Sequence, residues 1–171
     1  MGQNKTTVTK AKQHWLFKSE PDEYGIDDLA REKKCAWEGI RNYQARNRLR
    51  DEVKLGDHVF IYHSSCAQPA VVGLAKVTRE AYPDPIQFDG NSPYFDAKSD
   101  KASPRWLCVD IAYEAHLPTP ITLKQIKQLA SFESMELVTR SRLSIQQVTA
   151  KEAKELLRMS GHKKVTLKRH V

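Results

Sequence analysis

Residues 37–50 read WEGIRNYQARNRLR and combine a tryptophan, a glycine turn, an asparagine and four arginines, with no acid after the second position. Asparagine is a good helix N-cap because its side-chain oxygen accepts a hydrogen bond from an unpaired N–H of the first turn. With Asn42 as the cap, Asn42, Arg46 and Arg50 share one face of the helix. The stretch therefore predicts a short helix with a donor-rich edge beside Gly39, suited to a flat, hydrogen-bonding ligand. A surface helix with solvated arginines and a core tryptophan is the plainer alternative.

The size and composition are those of one globular domain. The chain has 171 residues, 40% hydrophobic and 29% charged, which is enough to bury a core. No apolar run approaches the roughly 20 residues that span a bilayer, and the first fourteen residues lack the apolar segment of a secretion signal. We therefore expect an intracellular monomer without a membrane partner, cytoplasmic if the source is a bacterium and nuclear if it is a eukaryote.

The cysteines and histidines give no sign of a metal site. Cys35, Cys66 and Cys108 are odd in number and lack C-x-x-C spacing, so they are expected to be reduced thiols rather than a disulfide frame or zinc ligands. The six histidines form no pair with ligand spacing. We predict neither a metal nor a cofactor.

The net charge of +7 comes from the two ends of the chain. Residues 1–14 carry three lysines and residues 161–171 carry three lysines and one arginine, in both cases without an acid, so the body balances 21 basic against 21 acidic groups. This pattern predicts basic, flexible tails at 1–13 and 161–171 around a single domain at 14–160. A neutral body lacks the broad basic footprint of a protein that grips duplex DNA, so nucleic-acid recognition by the body would be local.

Hydrophobic periodicity predicts an α+β domain. Alternation in the strand from Val59 to Ser64 places His63 on one face and Tyr62 and Ser64 on the other. A proline-rich loop at 82–104 is longer than packing alone requires. The other expected elements are strands at 14–18, 70–79 and 106–115, an extended segment at 143–145, and helices at 27–31, from Thr122, and from Thr149 to near Gly161. We expect a curved, mainly antiparallel sheet or small barrel flanked by short helices.

Several linked motifs make the sequence similar to the EVE domain family. They cover residues 14–160 in the family's order: WLFKSEP (15–21), WEGIRNYQARN (37–47), GD (56–57) leading to FIYHS (60–64), YPDP (82–85), PRW (104–106) and RLSI (142–145) before Val148-Thr149. The resemblance implies a PUA-like fold, a small β-barrel with helices packed around it, related to YTH domains that read methylated adenine in RNA. It also implies a reader of modified bases in DNA or RNA, with no known catalysis.

A base-reading pocket must stack the ring, enclose the added group and satisfy the polar edge of the base. Stacking is worth about 1–3 kcal/mol per base, and enclosing one methyl group adds roughly 0.8 kcal/mol. Trp37 is the expected stacking wall, and Tyr82 is the expected lid. The full set of expected ligand-binding residues is Lys18, Ser19, Glu20, Trp37, Gly39, Arg41, Asn42, Tyr62, His63, Ser64 and Tyr82; the expected phosphate or nucleic-acid contacts are Arg46, Arg140, Ser141, Arg142 and Ser144. Each has a structural alternative, such as a core aromatic, a helix cap or a solvated arginine.

Three functions remain open from the sequence. The leading hypothesis is a non-catalytic reader of a modified nucleobase, such as methylated or hydroxymethylated cytosine or methyladenosine. The alternative is a PUA-like amidohydrolase acting on a modified nucleoside, for which Lys18, Glu20, Tyr62 and His63 would supply an amine or general acid and base. A protein-interaction module using the 82–104 loop is the third.

Overall fold

The computed structural model describes residues 11–163. Most of the two expected tails, namely residues 1–10 and 164–171, therefore lies outside the described residues. Six strands form one sheet: β1 (His14–Ser19), β2 (Lys34–Trp37), β3 (His58–His63), β4 (Ala70–Pro83), β5 (Leu107–Thr122) and β6 (Ile145–Val148). Their spatial order is β2-β5-β4-β3-β1-β6. Since β2 and β6 are the two edges, the sheet is open. The α+β class and the mainly antiparallel sheet are confirmed, in the sheet form rather than the closed barrel.

Three features of the sheet were not expected from the sequence. β1 and β3 pair in parallel, with Ser19 opposite His63, whereas every other neighbouring pair is antiparallel. The strand β2 was not predicted, and its last residue is Trp37. β4 and β5 extend beyond the expected strands, to Pro83 and to Thr122, with several register shifts along their ladder.

The described part of the chain has five α-helices beside the sheet: α1 (Ile26–Glu32), α2 (Tyr43–Asp51), α3 (Leu123–Lys127), α4 (Glu136–Thr139) and α5 (Ala150–Ser160). The expected cap of α2 is present, because Asn42 accepts a hydrogen bond from Ala45 N at 2.9 Å. Thr149 opens α5 with a capping box, as its sequence predicts. Within residues 11–163, no helix has the length and apolar character needed to cross a membrane.

Each face of the sheet carries its own hydrophobic cluster. Trp15 and Phe17 join α1 and α2 in one cluster, while Leu16 on the same strand joins α3, α4 and α5 in the other. The strict alternation of β1 therefore divides its side chains between two cores. At the start of this strand, Trp15 Nε1 donates to the buried Asp57 carboxylate at 3.0 Å, and Gln13 N donates to the same carboxylate at 3.1 Å.

Candidate functional site

A cavity of about 640 Å³ lies at the C-terminal ends of the parallel strands β1 and β3. Ser19 ends β1, and Ser64 directly follows β3. Trp37 at the end of β2 and Asn42 at the start of α2 form another part of the wall, and Tyr94 comes from the long loop between β4 and β5. Residues 141–144 add a sixth segment to the lining of this cavity.

Trp37 belongs to both the core and the cavity. Trp37 is only 6% exposed. Its ring lies 5.7 Å from that of Phe17 and meets Tyr24 edge to face at 6.2 Å. Because the indole is surrounded by aromatic neighbours and still lines the cavity, it forms a rigid wall there.

The indole N–H of Trp37 has no protein acceptor within residues 11–163 and is not among the fully buried unpaired atoms. The other two tryptophans differ in this respect. Trp15 donates to Asp57 at 3.0 Å and Trp106 donates to Asp96 at 2.8 Å. Trp37 is therefore the one tryptophan of the described residues whose N–H has no protein acceptor, and it lies in the wall of the cavity.

Ser19 places an unpaired hydroxyl at the same cavity. Its Oγ is buried and has no hydrogen-bond partner within the described residues. Its carbonyl, in contrast, accepts from Ser64 N at 2.9 Å. Buried polar atoms almost always have a partner in native proteins, so the shielded Ser19 hydroxyl is an exception on a residue of the cavity wall. Rotation about its Cα–Cβ bond would bring this hydroxyl to the cavity surface, where a bound molecule would pair with it.

The Gly39 turn is held by a fully buried carboxylate. Asp84 is 0% exposed, and it accepts from Gly39 N and from Arg41 Nη1, both at 2.9 Å. Its other oxygen accepts from Ile86 N at 2.9 Å. Gly39 has φ +83°, a conformation that favours glycine. Asp84 therefore fixes the backbone that carries Glu38 and Gly39 along the cavity wall.

Tyr94 reaches across this turn. Arg41 Nε and Nη2 donate to the Tyr94 carbonyl at 3.0 and 2.8 Å, and the Tyr94 hydroxyl donates to Glu23 Oε2 at 2.7 Å. The bond to Glu23, together with burial, raises the pKa of Tyr94 to about 12. A Cβ added at Gly39 would lie 3.2 Å from the Tyr94 ring. Tyr94 therefore covers the turn and joins it to the loop after β1.

A second part of the wall is anchored by Lys18. Its Nζ donates to the Ser141 carbonyl, and its backbone N–H donates to the Ser144 carbonyl at 3.0 Å. Burial lowers the pKa of Lys18. These bonds fix residues 141–144 against the end of β1, where Ser141, Arg142 and Ser144 line the cavity.

The structure brings most of the expected site residues together. Eleven of them line the cavity: Lys18, Ser19, Glu20, Trp37, Gly39, Arg41, Asn42, Ser64, Ser141, Arg142 and Ser144. Arg140 lies in an adjoining groove that shares part of this lining. The binding roles of these residues stay predictions.

Tyr62 and His63 do not line the cavity. Tyr62 is buried in the cluster on the opposite face with Leu16 and Phe60, because alternation along β3 points it away from Trp37. His63 Nε2 accepts from Ile26 N at 3.1 Å and so caps the first turn of α1. Burial lowers the pKa of His63, which is consistent with a neutral acceptor.

Tyr82 and Arg46 are also engaged elsewhere. Tyr82 lies within β4 rather than in the loop, its hydroxyl donates to Asp110, and the Arg79 guanidinium lies 3.6 Å from its ring centre. The loop aromatic at the cavity is Tyr94, twelve positions further on. Arg46 donates to the Arg105 carbonyl at 3.0 Å and to the Asn47 side chain, which occupies most of its donors.

Sequence reasoning missed several residues of the wall. Tyr24, just before α1, and Cys35, in the unpredicted strand β2, line the cavity. Its rim also includes Glu23, Glu38 and Tyr94. Burial raises the pKa of the Cys35 thiol to about 11, so it is not an activated nucleophile. The available signals were the position of Glu38 inside the WEGIRN motif and of Asp84 inside YPDP.

The groups expected for a hydrolase do not converge. Lys18 and Glu20 lie at the cavity, whereas Tyr62 and His63 lie outside its lining. Within the described residues, no group of three or more His, Cys, Asp or Glu side chains is arranged to hold a metal ion.

Comparisons with known proteins place this chain in a family. The model of the EVE domain matches residues 13–159. Thymocyte nuclear protein 1 of Homo sapiens is 39% identical over 172 residues, covering 86% of this chain and 76% of the relative. A solved structure of a hypothetical protein from Leishmania major superposes with a TM-score of 0.86 and 43% identity, covering 88% of this chain and 96% of that one.

A further solved structure shows a relative with DNA. It is described as the human THYN1 protein in complex with DNA containing 5-methylcytosine. It matches with a TM-score of 0.85 and 37% identity over 88% of this chain and 99% of that one. These matches confirm the α+β fold with its PUA-like relatives, and the chain belongs to the EVE domain family.

Proposed function

We propose that this protein binds nucleic acid that carries a modified base and holds that base in the cavity between Trp37 and residues 141–144. The observation that carries the proposal is the free indole N–H of Trp37, in the wall of a cavity that Ser19 also lines, and the Ser19 hydroxyl has no partner within the described residues. The relative solved with 5-methylcytosine DNA supports the same class of ligand. The chemistry needed is recognition alone, without a cofactor or a metal.

The cavity has the size and chemistry of a base pocket. Its volume of about 640 Å³ falls within the roughly 300–1,000 Å³ of small-molecule sites. Trp37 and Tyr94 supply aromatic surface to the ring, and Ser19 and the Trp37 N–H supply an acceptor and donors to its polar edge. A base from a duplex must be flipped out, which costs a few kcal/mol. The unpaired polar atoms of the pocket would reject a base that leaves them without hydrogen bonds.

The role of the phosphate contacts follows from the arginine-bearing segment. Arg142, Ser141 and Ser144 line the cavity next to Lys18. Arginine presents forked donors that match phosphate oxygens. These residues are proposed to bind the backbone of the flipped nucleotide while the pocket reads its base.

Ser19→Ala tests the proposal with an internal stability control. Removing an unpaired hydroxyl should leave the free energy of unfolding unchanged or raise it, because no protein hydrogen bond is lost. It should weaken binding of oligonucleotides that carry one 5-methylcytosine, 5-hydroxymethylcytosine or N6-methyladenosine. The expected loss for the preferred oligonucleotide is about fivefold, the equivalent of one net hydrogen bond of about 1 kcal/mol, measured by fluorescence polarisation against unmodified sequences.

The matched control is Ser160→Ala. The Ser160 hydroxyl is also buried but donates to the Leu157 carbonyl at 2.8 Å, so its loss should lower stability and leave binding unchanged. Equal binding of modified and unmodified oligonucleotides by the unaltered protein would refute the reading of modified bases. Unchanged affinity in Ser19→Ala would remove Ser19 from the contact set.

A further inference from the structure

The cavity continues into a groove on one side. This groove of about 630 Å³ shares Asn42, Ser141 and Arg142 with the cavity and extends along Thr139, Arg140 and Gln44. Among residues 11–163, no acidic residue lines it. A molecule bound in the cavity can therefore extend into the groove without leaving the surface.

Two arginines dominate the charge of this groove. Arg140 and Arg142 are exposed, and neither side chain has an ion pair or hydrogen bond within residues 11–163. The nearby Glu136 is occupied by Arg48, whose Nη2 lies 2.8 Å from Oε1, and by Gln147 N at 2.8 Å. Arg140 acts on Glu136 through its charge and helps to lower the pKa of that carboxyl, so Arg48, Arg140 and Glu136 together carry a net charge of about +1. Arg142 adds a further positive charge, and the groove therefore stays positive.

Hydrogen bonds from two other side chains fix the backbone of the segment that carries Arg140 and Arg142. Gln146 Nε2 donates to the Arg140 carbonyl at 3.0 Å, and Lys18 holds the Ser141 carbonyl. Because carbonyls are bound on the inner side, the arginine side chains sit on a segment that needs little ordering when a ligand arrives.

The rest of the cavity rim has the opposite charge. Glu20, Glu23 and Glu38 are exposed and line the cavity but not the groove. The Tyr94 hydroxyl is bonded to Glu23, and its ring lies over Gly39 next to Glu38, so these carboxylates surround the side covered by Tyr94. The one arginine there, Arg41, is paired with Asp84 at 2.9 Å. Arg41 also acts on Glu38 through its charge, but three carboxylates face this one arginine, which is already paired with Asp84. The rim therefore keeps a net negative charge, which repels phosphate and acts against a strand on that side.

We infer that the protein binds the backbone on one side of the flipped nucleotide only: the phosphates on that side lie over the Arg140–Arg142 groove, and the strand on the other side is kept away from the protein by the carboxylate rim. This inference rests on the proposed function and specifies how its partner is oriented. The footprint is then short and asymmetric, and the strand has a fixed polarity on the protein.

Neutral methylphosphonate linkages test the asymmetry. Oligonucleotides with one modified base carry such linkages either at the two positions 5′ of that base or at the two positions 3′ of it, and affinity is measured by fluorescence polarisation. On one side the replacement should weaken binding about tenfold, as loss of charge-assisted contacts predicts. On the other side it should leave binding unchanged or strengthen it. Equal losses on both sides would overturn the inference.

Variants assign the two sides to the protein. Arg140→Gln with Arg142→Gln should abolish the loss caused by the sensitive linkages and lower the salt dependence of log affinity by about 0.7 per contact. Lys151→Gln with Lys154→Gln, which removes two exposed charges from α5, should do neither. Glu23→Gln, which keeps an acceptor for Tyr94, should raise affinity at low salt by about twofold, and unchanged affinity would refute repulsion by that carboxylate.

The outcome also separates this inference from the function on which it rests. Preference for a modified base with symmetric linkage effects overturns only the orientation of the strand. Absence of binding to every modified oligonucleotide overturns the proposed function and the inference together.

Discussion

Replacing Asp84 with alanine removes the carboxylate that holds the Gly39 turn. Three hydrogen bonds are lost, from Gly39 N, Arg41 Nη1 and Ile86 N, each at 2.9 Å. Breaking a buried ion pair by removing one partner costs about 3–5 kcal/mol. The Arg41 side chain is 21% exposed and keeps its bonds to the Tyr94 carbonyl, so we expect the lower end, about 3 kcal/mol.

The assay is urea denaturation together with thermal melting. For a domain of this size, each kcal/mol shifts the melting temperature by roughly 2–4 °C, so the expected loss is about 6–12 °C. Asp22→Ala, which removes an exposed carboxylate that has no side-chain partner within the described residues, should stay within about 0.5 kcal/mol.

A double variant identifies the cause of the loss. If an unpaired Arg41 charge dominates, adding Arg41→Met to Asp84→Ala should cost less than the sum of the two single changes, by at least about 1 kcal/mol. A loss below about 1 kcal/mol for Asp84→Ala, or strict additivity in the double variant, would refute the reasoning that this carboxylate secures the turn.

Three further outcomes are expected. Gly39→Ala should destabilise the fold by about 1–3 kcal/mol, because φ is +83° and the new Cβ would meet Tyr94; urea denaturation measures it, and a neutral result would contradict the turn geometry. The neutral His63 imidazole accepts from Ile26 N and has a lowered pKa, so its contribution should be complete above about pH 6.5 and be lost as the pH falls through the lower folded-state value. His63→Gln should flatten that decline in a stability profile from pH 7.5 to 5, and an unchanged profile would speak against it. Deleting residues 1–10 and 164–171, which carry five basic side chains and no acid, should flatten the salt dependence of oligonucleotide binding and keep the base preference; an unaltered slope would exclude an electrostatic role for these ends.

Local chemistry explains what the sequence predicted well. The Asn42 cap and the Thr149 capping box depend on residues three positions apart, so both helix starts are visible in the chain itself. Alternation along β1 likewise puts Trp15 and Phe17 on one face of the sheet and Leu16 on the other, and each face carries its own core. The Ser141–Ser144 segment was predicted only through its motif, because its position beside Lys18 is set by pairing across the fold.

Long-range pairing explains what the sequence did not show. The four residues of β2 are too few for an alternating pattern, and they become a strand because β5 offers a partner along its length. The same extension of the β4–β5 ladder placed Tyr82 in the sheet. Tyr94 could not be identified from the sequence, because its position depends on hydrogen bonds that the distant Arg41 side chain donates to its carbonyl.

The single parallel pair has a consequence for where a hollow can form in this domain. Antiparallel neighbours can be joined by a tight hairpin that fills the space beyond their ends. β1 and β3 are parallel and end at the same edge of the sheet. The chain that follows each strand therefore cannot form a hairpin with the other strand. The two continuations must diverge there, and the gap between diverging chains is the usual place for a ligand beside parallel strands.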